Sequence, residues 1–140
     1  MKRHASAVWK GDLQSGTGEM SSQSGAIKSL PFSFKTRFGD EPGTNPEELI
    51  GAAHAGCFSM AFSNELAKAG LNPESVETKA TVTLDTSQGA DITEVLLEST
   101  ATVPGADEAK VREIGDAAKA GCPVSKVLNA AITLKLTVKT

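Results

Sequence analysis

Two sulfurs are the residues best suited to chemistry, because Cys57 and Cys122 are the only cysteines in the chain. A thiol acts as nucleophile or redox partner mainly as the thiolate, so what matters at each is whatever lowers its pKa. Cys57 falls in the middle of a long segment patterned as a helix. It lies about 18 Å from the start of that helix at 1.5 Å per residue, and the helix dipole fades within a turn. The helix end therefore cannot activate it, and a cation has to. His54 stands three residues earlier on the same face, and Arg37 lies outside the helix altogether. Of the two, arginine stays charged at every relevant pH and offers a rigid fork of donors. By position alone, an inert core thiol fits Cys57 as well as a reactive one, since free cysteine is among the most buried residue types. Cys122, in Gly121-Cys122-Pro123, sits at the expected cap of a short helix, where backbone N–H groups favour a thiolate. A small residue filling a helix junction is the equal alternative. Two reactive cysteines would make a redox pair, but sequence spacing does not by itself bring them together.

Other chemistries find little support. With two cysteines and two histidines, and no CxxC or HxxxH arrangement, His54 and Cys57 make at most a two-ligand edge, so no metal is expected. Gly16-Thr17-Gly18 lacks the following Gly-Lys-Ser/Thr and opens no helix, so it reads as a hairpin rather than a phosphate loop. Aromatic residues make up 4% with no tyrosine, and the net charge is −3. Both features argue against stacking on bases and against attraction to phosphate backbones or anionic lipid. Met1-Lys2-Arg3 is basic, but His4 to Asp12 is no apolar signal-peptide core. The longest charge-free apolar run, Leu49 to Phe62, is too short to span a bilayer and carries His54 and Ser59. A cytoplasmic protein is expected, in which cysteines are kept reduced.

The elements that must position these residues are legible in outline. A length of 140 residues suits a single domain, residues 1–140. Ala5, Ala7 and Trp9 alternate as in a strand, and the Gly- and Ser-rich stretch from Gly11 to Gly25 predicts turns between short strands. Trp9 is expected in the core, and Pro31 to Phe38 as a strand or loop edge. A helix is predicted from Asn45, which can cap, through Pro46, Glu47 and Glu48 to Ala69, with Gly70 and Pro73 stopping it. Gly51, Ala52, Ala53, Ala55 and Gly56 make its middle small all round and predict burial on most sides. Val76 to Leu84 and Asp91 to Val103 alternate as an antiparallel hairpin. Asp107 to Lys119 is helical, with Val111, Ile114, Gly115 and Ala118 as its buried stripe. Pro123 to Leu128 is a short helix, and Ile132 to Val138 a final strand. Strands at both ends with helices between them indicate an α+β class.

Three stretches then resemble one known family. Thr36-Arg37-Phe38, the run Gly43-Thr44-Asn45-Pro46-Glu47-Glu48 through His54-Ala55-Gly56-Cys57-Phe58-Ser59-Met60, and Ala120-Gly121-Cys122-Pro123-Val124-Ser125 closely resemble the osmotically inducible protein C (OsmC) family. The related organic hydroperoxide resistance proteins share the Asn-Pro-Glu, Ala-Cys-Phe and Cys-Pro elements. The similarity runs along essentially the whole chain in order and spacing, and favours the OsmC branch. It implies an α+β fold of antiparallel sheets with a long central helix, in an intertwined homodimer with sites at the subunit interface. It also implies a peroxidase acting on organic hydroperoxides without metal or organic cofactor, reduced by a dithiol of the lipoyl type used in the sister branch. By residue, it implies that Cys57 is the peroxidatic thiol, Cys122 the resolving thiol, Arg37 the arginine that stabilises the thiolate, and Glu47 its carboxylate partner. His54 matches no catalytic position and is read as packing.

Helix geometry adds a constraint. Glu47 and Cys57 are ten residues apart, about 15 Å along one helix, and cannot touch within it. Glu47 is therefore expected to act through Arg37 or on the partner chain's thiol. The implied cycle runs from a Cys57 sulfenic acid to a Cys57–Cys122 disulfide. Leu49, Phe58, Met60 and Phe62 are expected to surround Cys57 with apolar surface that suits greasy hydroperoxides. The alternatives are a redox-sensing or stress-binding protein that uses the same pair without efficient turnover, and a structural dimer with inert thiols.

Overall fold

The computed structural model describes residues 1–140. The chain divides into two compact units, residues 1–49 and 50–140.

In the first unit, strands β1 (Ala5–Lys10), β2 (Thr17–Ser22) and β3 (Leu30–Ser33) form an antiparallel sheet in that order. The β1–β2 turn is closed by Asp12, whose carboxylate accepts from the N–H groups of Gln14 and Ser15 at 2.8 and 2.9 Å. This is local turn chemistry of the kind that Asp provides. On β2, Gly18 lies opposite Trp9 on one neighbour and Phe32 on the other. A Cβ there would come within 2.5 Å of the Phe32 ring and 2.7 Å of Trp9, so only glycine lets the two rings meet, with centroids 5.4 Å apart.

The strand or loop expected at Pro31 to Phe38 ends early, and a short helix α1 (Phe34–Phe38) takes over. A capping box is the cause: the Ser33 hydroxyl accepts from the Thr36 N–H at 3.2 Å, and the Thr36 hydroxyl accepts from the Ser33 N–H at 2.9 Å. Helix α2 (Pro46–Lys68) begins where the sequence predicts. The Asn45 side chain accepts from the Glu48 N–H at 2.8 Å, and Pro46 fills the first helical position. At its far end Gly70 adopts φ +76°, and the Leu71 N–H bonds back to the Leu66 carbonyl at 3.0 Å.

In the second unit, β4 (Ser75–Asp85), β5 (Asp91–Thr102) and β6 (Ala131–Lys139) form a sheet in the order β4-β5-β6. The β4–β5 hairpin is antiparallel, as expected. The β5–β6 pair is parallel, from Glu94 opposite Ala131 to Thr102 opposite Lys139, which corrects the expectation of wholly antiparallel sheets. The chain between them runs through α3 (Glu108–Gly121) and α4 (Pro123–Val127), a crossover long enough to bring β6 back to the starting end of β5.

Asp107 caps α3 by accepting from the Lys110 N–H at 2.8 Å, and the helix buries Val111, Ile114, Gly115 and Ala118 as predicted. These pack with Phe58, Phe62 and Leu66 of α2 and Val95, Leu97, Ala101 and Val103. Gly115 is the closest approach: a Cβ there would sit 2.8 Å from Leu136 and 3.3 Å from Phe62. Helix α2 is less enclosed than its small residues predict. Gly51, His54, Phe58, Phe62 and Leu66 form a buried stripe at helical spacing, while Ala52, Ala53, Gly56 and Met60 are exposed. Small side chains permit close approach, and in the single chain nothing makes it on that side. No helix is long and apolar enough to cross a membrane.

Candidate active site

Both cysteines belong to the second unit, and the fold brings them together. Cys57 lies halfway along α2. Cys122 is at once the C-cap of α3, its N–H bonded to the Ala118 carbonyl at 2.9 Å, and the N-cap of α4, its carbonyl accepting from Lys126 at 3.0 Å. Pro123 in the first position of α4 forces this restart. The two Sγ atoms are 3.1 Å apart, both free, with Cys57 half-buried and Cys122 buried. A disulfide needs about 2.05 Å, so bond formation requires a shift of only about 1 Å.

The two thiols titrate differently. Burial pushes Cys57 up, the hydrogen bond with Cys122 pushes it further, and the Val124 N–H works in the opposite direction without reversing the outcome. Burial also raises Cys122. It is outweighed there by the Ser125 N–H, the hydrogen bond with Cys57, the Ser125 hydroxyl and the Val124 N–H, and the thiol ends below its ordinary value. With both sulfurs protonated, Cys122 donates to Cys57. Once a proton is lost, the donors gathered around Cys122 favour the opposite sense, with Cys57 donating to a Cys122 thiolate. The expectation that helix N–H groups favour a thiolate at Cys122 is met, although its side chain makes no full capping bond. The one influence that lowers the Cys57 pKa, the Val124 N–H, comes from α4.

One helical turn before Cys57, His54 is completely buried, and its Nε2 lies 2.7 Å from the Ser125 hydroxyl. Its Nδ1 is buried without a partner. Burial lowers its pKa, so the ring is neutral near pH 7. His54 is thus enclosed, as its reading as packing requires, but it is also hydrogen-bonded to a residue three positions after Cys122. In the sequence Ser125 stands out only as part of the Cys122-Pro123-Val124-Ser125 motif; its polar side chain, one turn from a cap cysteine, is the signal that could have marked it.

In the first unit, α1 presents Arg37 and the start of α2 presents Glu47. Arg37 Nη2 donates to Glu47 Oε1 at 2.7 Å, and Nε to Oε2 at 3.2 Å, a forked pair with Glu47 almost fully enclosed. The guanidinium also lies over the Phe38 ring, 5.1 Å from its centroid. Asn45 ties the two elements together by donating to the Thr36 carbonyl at 3.3 Å. Arg37 forms one wall of a cleft of about 230 Å³, otherwise lined by Trp9, Leu13, Phe32, Ser33, Phe34 and Phe38. Trp9 therefore lines a cleft, where core was expected.

The apolar residues expected around Cys57 divide in another way. Phe58 and Phe62 are fully buried core, their rings 5.6 Å apart, and Met60 is 77% exposed. The two rings offer no binding surface, and Met60 lies on the exposed side of α2, where it lines a cleft with Ser63, Asn64 and Val76. No group of three or more His, Cys, Asp or Glu side chains gathers as a metal site.

Comparison with known proteins gives a consistent picture. Residues 39–137 match the family described as OsmC-like protein. The chain is 52% identical over 134 residues to Peroxiredoxin OsmC of Escherichia coli (strain K12), covering 95% of this chain and 94% of that one. It is 31% identical over 99 residues to an organic hydroperoxide resistance protein of Xanthomonas axonopodis pv. citri, covering 68% and 66%. Among solved structures, an OsmC-like protein of unknown function from Vibrio cholerae matches with a TM-score of 0.76 at 18% identity, over 97% of this chain and 99% of that one. An organic hydroperoxide resistance protein from Legionella pneumophila matches at 0.68 and 21%, over 98% and 97%.

Proposed function

This chain belongs to the OsmC-like protein family, and from that premise we propose that it is a cysteine peroxidase reducing organic hydroperoxides to alcohols. The observation that carries the reading is the 3.1 Å approach of two free sulfurs from separate elements. The names of the relatives, peroxiredoxin and organic hydroperoxide resistance protein, support the same chemistry.

In the proposed cycle the Cys57 thiolate attacks one peroxide oxygen, the O–O bond breaks, and the alcohol leaves after taking a proton. Cys57 becomes a sulfenic acid. Cys122 then displaces hydroxide from it, giving water and a Cys57–Cys122 disulfide that shields Cys57 from overoxidation. A dithiol reduces the disulfide by exchange and leaves as its own cyclic disulfide.

Because burial raises the Cys57 pKa, this thiolate requires a cation, and we assign that role to Arg37, held by Glu47. The forked pair fixes the guanidinium, and the aromatic cleft beside it suits an apolar organic group better than hydrogen peroxide. The two units are proposed to serve one functional domain, working as a homodimer. The exposed face of Ala52, Ala53, Gly56 and Met60 is consistent with a close-packed partner.

The test is a steady-state assay with t-butyl hydroperoxide and a dithiol. Sustained turnover by the native chain and none by Cys57→Ser is the expected result. Turnover that survives Cys57→Ser refutes the assignment, and a single stoichiometric reaction that then stops shows a redox sensor instead.

A further inference from the structure

Helices α2 and α4 face each other through two contacts one turn apart. Cys57 meets Cys122 at 3.1 Å, and three residues back on α2 and three forward on α4, His54 meets Ser125 at 2.7 Å. The catalytic cycle above uses only the first contact. The second joins a neutral, fully buried imidazole to a hydroxyl, and the imidazole's other nitrogen has no partner.

That orphan decides which way the protons point. A buried N–H without an acceptor is rarer and more costly than a buried lone pair without a donor. The less costly tautomer carries the proton on Nε2, which then donates to the Ser125 oxygen and leaves the bare Nδ1 lone pair facing the interior. With its oxygen occupied as an acceptor, the Ser125 hydroxyl proton is free to point elsewhere. Ser125 is the third residue of α4, and Cys122 is that helix's N-cap. That spacing sets its side chain on the first turn of α4 beside the cap, and the Ser125 hydroxyl is one of the influences that hold the Cys122 thiol below its ordinary value.

We propose that His54 and Ser125 form a one-way donor chain ending on Cys122, which makes that sulfur a readier nucleophile when the disulfide closes and a readier leaving group when it opens. The proposal rests on the peroxidase reading and assigns work to residues outside its four principal ones. Ser125 is the residue assigned to the Cys122 sulfur, and His54 is a positioning residue acting through it. In closing, the Cys122 thiolate attacks the Cys57 sulfenic sulfur. The S–S bond forms, the S–O bond breaks, and the departing hydroxide takes a proton to become water. In reopening, one thiolate of the dithiol attacks the half-buried Cys57 sulfur, and Cys122 departs with the electron pair, stabilised by the chain. The second thiol of the reductant then attacks its own bonded sulfur and frees Cys57, so two electrons pass and the reductant leaves cyclised. Exchange favours departure of the sulfur with the lower pKa, and Cys122 is also the one that a reductant reaches less readily.

The experiment removes Cys57 as a thiol and titrates Cys122 alone by ultraviolet thiolate absorbance, in the full chain carrying Cys57→Ser. Adding Ser125→Ala should cut the thiolate fraction of Cys122 about tenfold at pH values below its midpoint, the effect of losing one donor to a charged sulfur. His54→Leu should move it in the same direction, while His54→Gln, which keeps an N–H donor, should lie closer to the parent. An unmoved titration in Ser125→Ala overturns the proposal, as does identical behaviour of His54→Leu and His54→Gln. Ser125 is only partly buried, so its variant remains readable should the histidine variants fail to fold. No peroxide is involved, so this result is separate from the turnover assay: an unmoved titration with full native turnover removes the donor chain and leaves the peroxidase standing.

Discussion

At the scale of single residues, the site asks for charge at one sulfur and donors at the other. If Arg37 supplies the charge, Arg37→Ala should slow the first oxidation of Cys57 by about 10²-fold or more, the usual cost of removing a preorganised electrostatic group. Arg37→Lys should recover little, because a point charge does not reproduce the forked pairing with Glu47. Stopped-flow oxidation by an alkyl hydroperoxide reads this step directly. His54 gives a second expectation, in stability. Its folded pKa is lowered by burial from the ordinary 6.5, so between those values the unfolded chain binds more protons than the folded one. The contribution is fully present above pH 6.5 and is lost as pH falls towards the folded value. Urea denaturation at neutral and mildly acidic pH should show that loss in the native chain and less of it in His54→Gln. Cys57, Cys122, Arg37 and Glu47 were all legible as candidates in the sequence. The partnership of His54 with Ser125 was not, because a contact across 71 positions has no local pattern.

At the scale of elements, the helices were legible where caps and periodicity agreed, and the errors came where tertiary pairing or one local motif prevailed. The α3 stripe of Val111, Ile114, Gly115 and Ala118 follows from its 3.6-residue spacing. The direction of β6 does not, because alternation gives a strand its faces and says nothing of the sense in which it pairs. The Ser33–Thr36 box that turns Phe34–Phe38 into a helix was present in the residues but masked by their β-like composition. Two substitutions measure how firmly these elements are held. Phe62→Ala should destabilise by about 3–5 kcal/mol, since the ring is fully buried against Phe58 and α3. Gly18→Val should separate Trp9 from Phe32, readable as a change in tryptophan fluorescence, and should weaken the preference for apolar peroxides.

At the scale of the whole molecule, oxidation should change stability as well as chemistry. A Cys57–Cys122 bond closes a loop between positions 65 apart. Loop-closure entropy predicts about 4 kcal/mol of stabilisation of the oxidised over the reduced chain, less whatever strain the bond carries. Urea denaturation with and without a strong reductant measures it. The proposed homodimer has its own check. Sedimentation should give twice the chain mass, and Ala53→Arg on the exposed face of α2 should shift it towards the monomer; a native chain sedimenting as a monomer at assay concentrations refutes the pairing.

The parallel strand β6 also orders events during synthesis. Its partner β5 and both crossover helices leave the ribosome first, and α3 can pack on α2 and β5 before residues 131–139 complete the sheet. A nascent chain therefore carries both thiols before the fold has brought them into register. The proposed Cys57–Cys122 bond is then expected to form late, once α4 has docked beside α2.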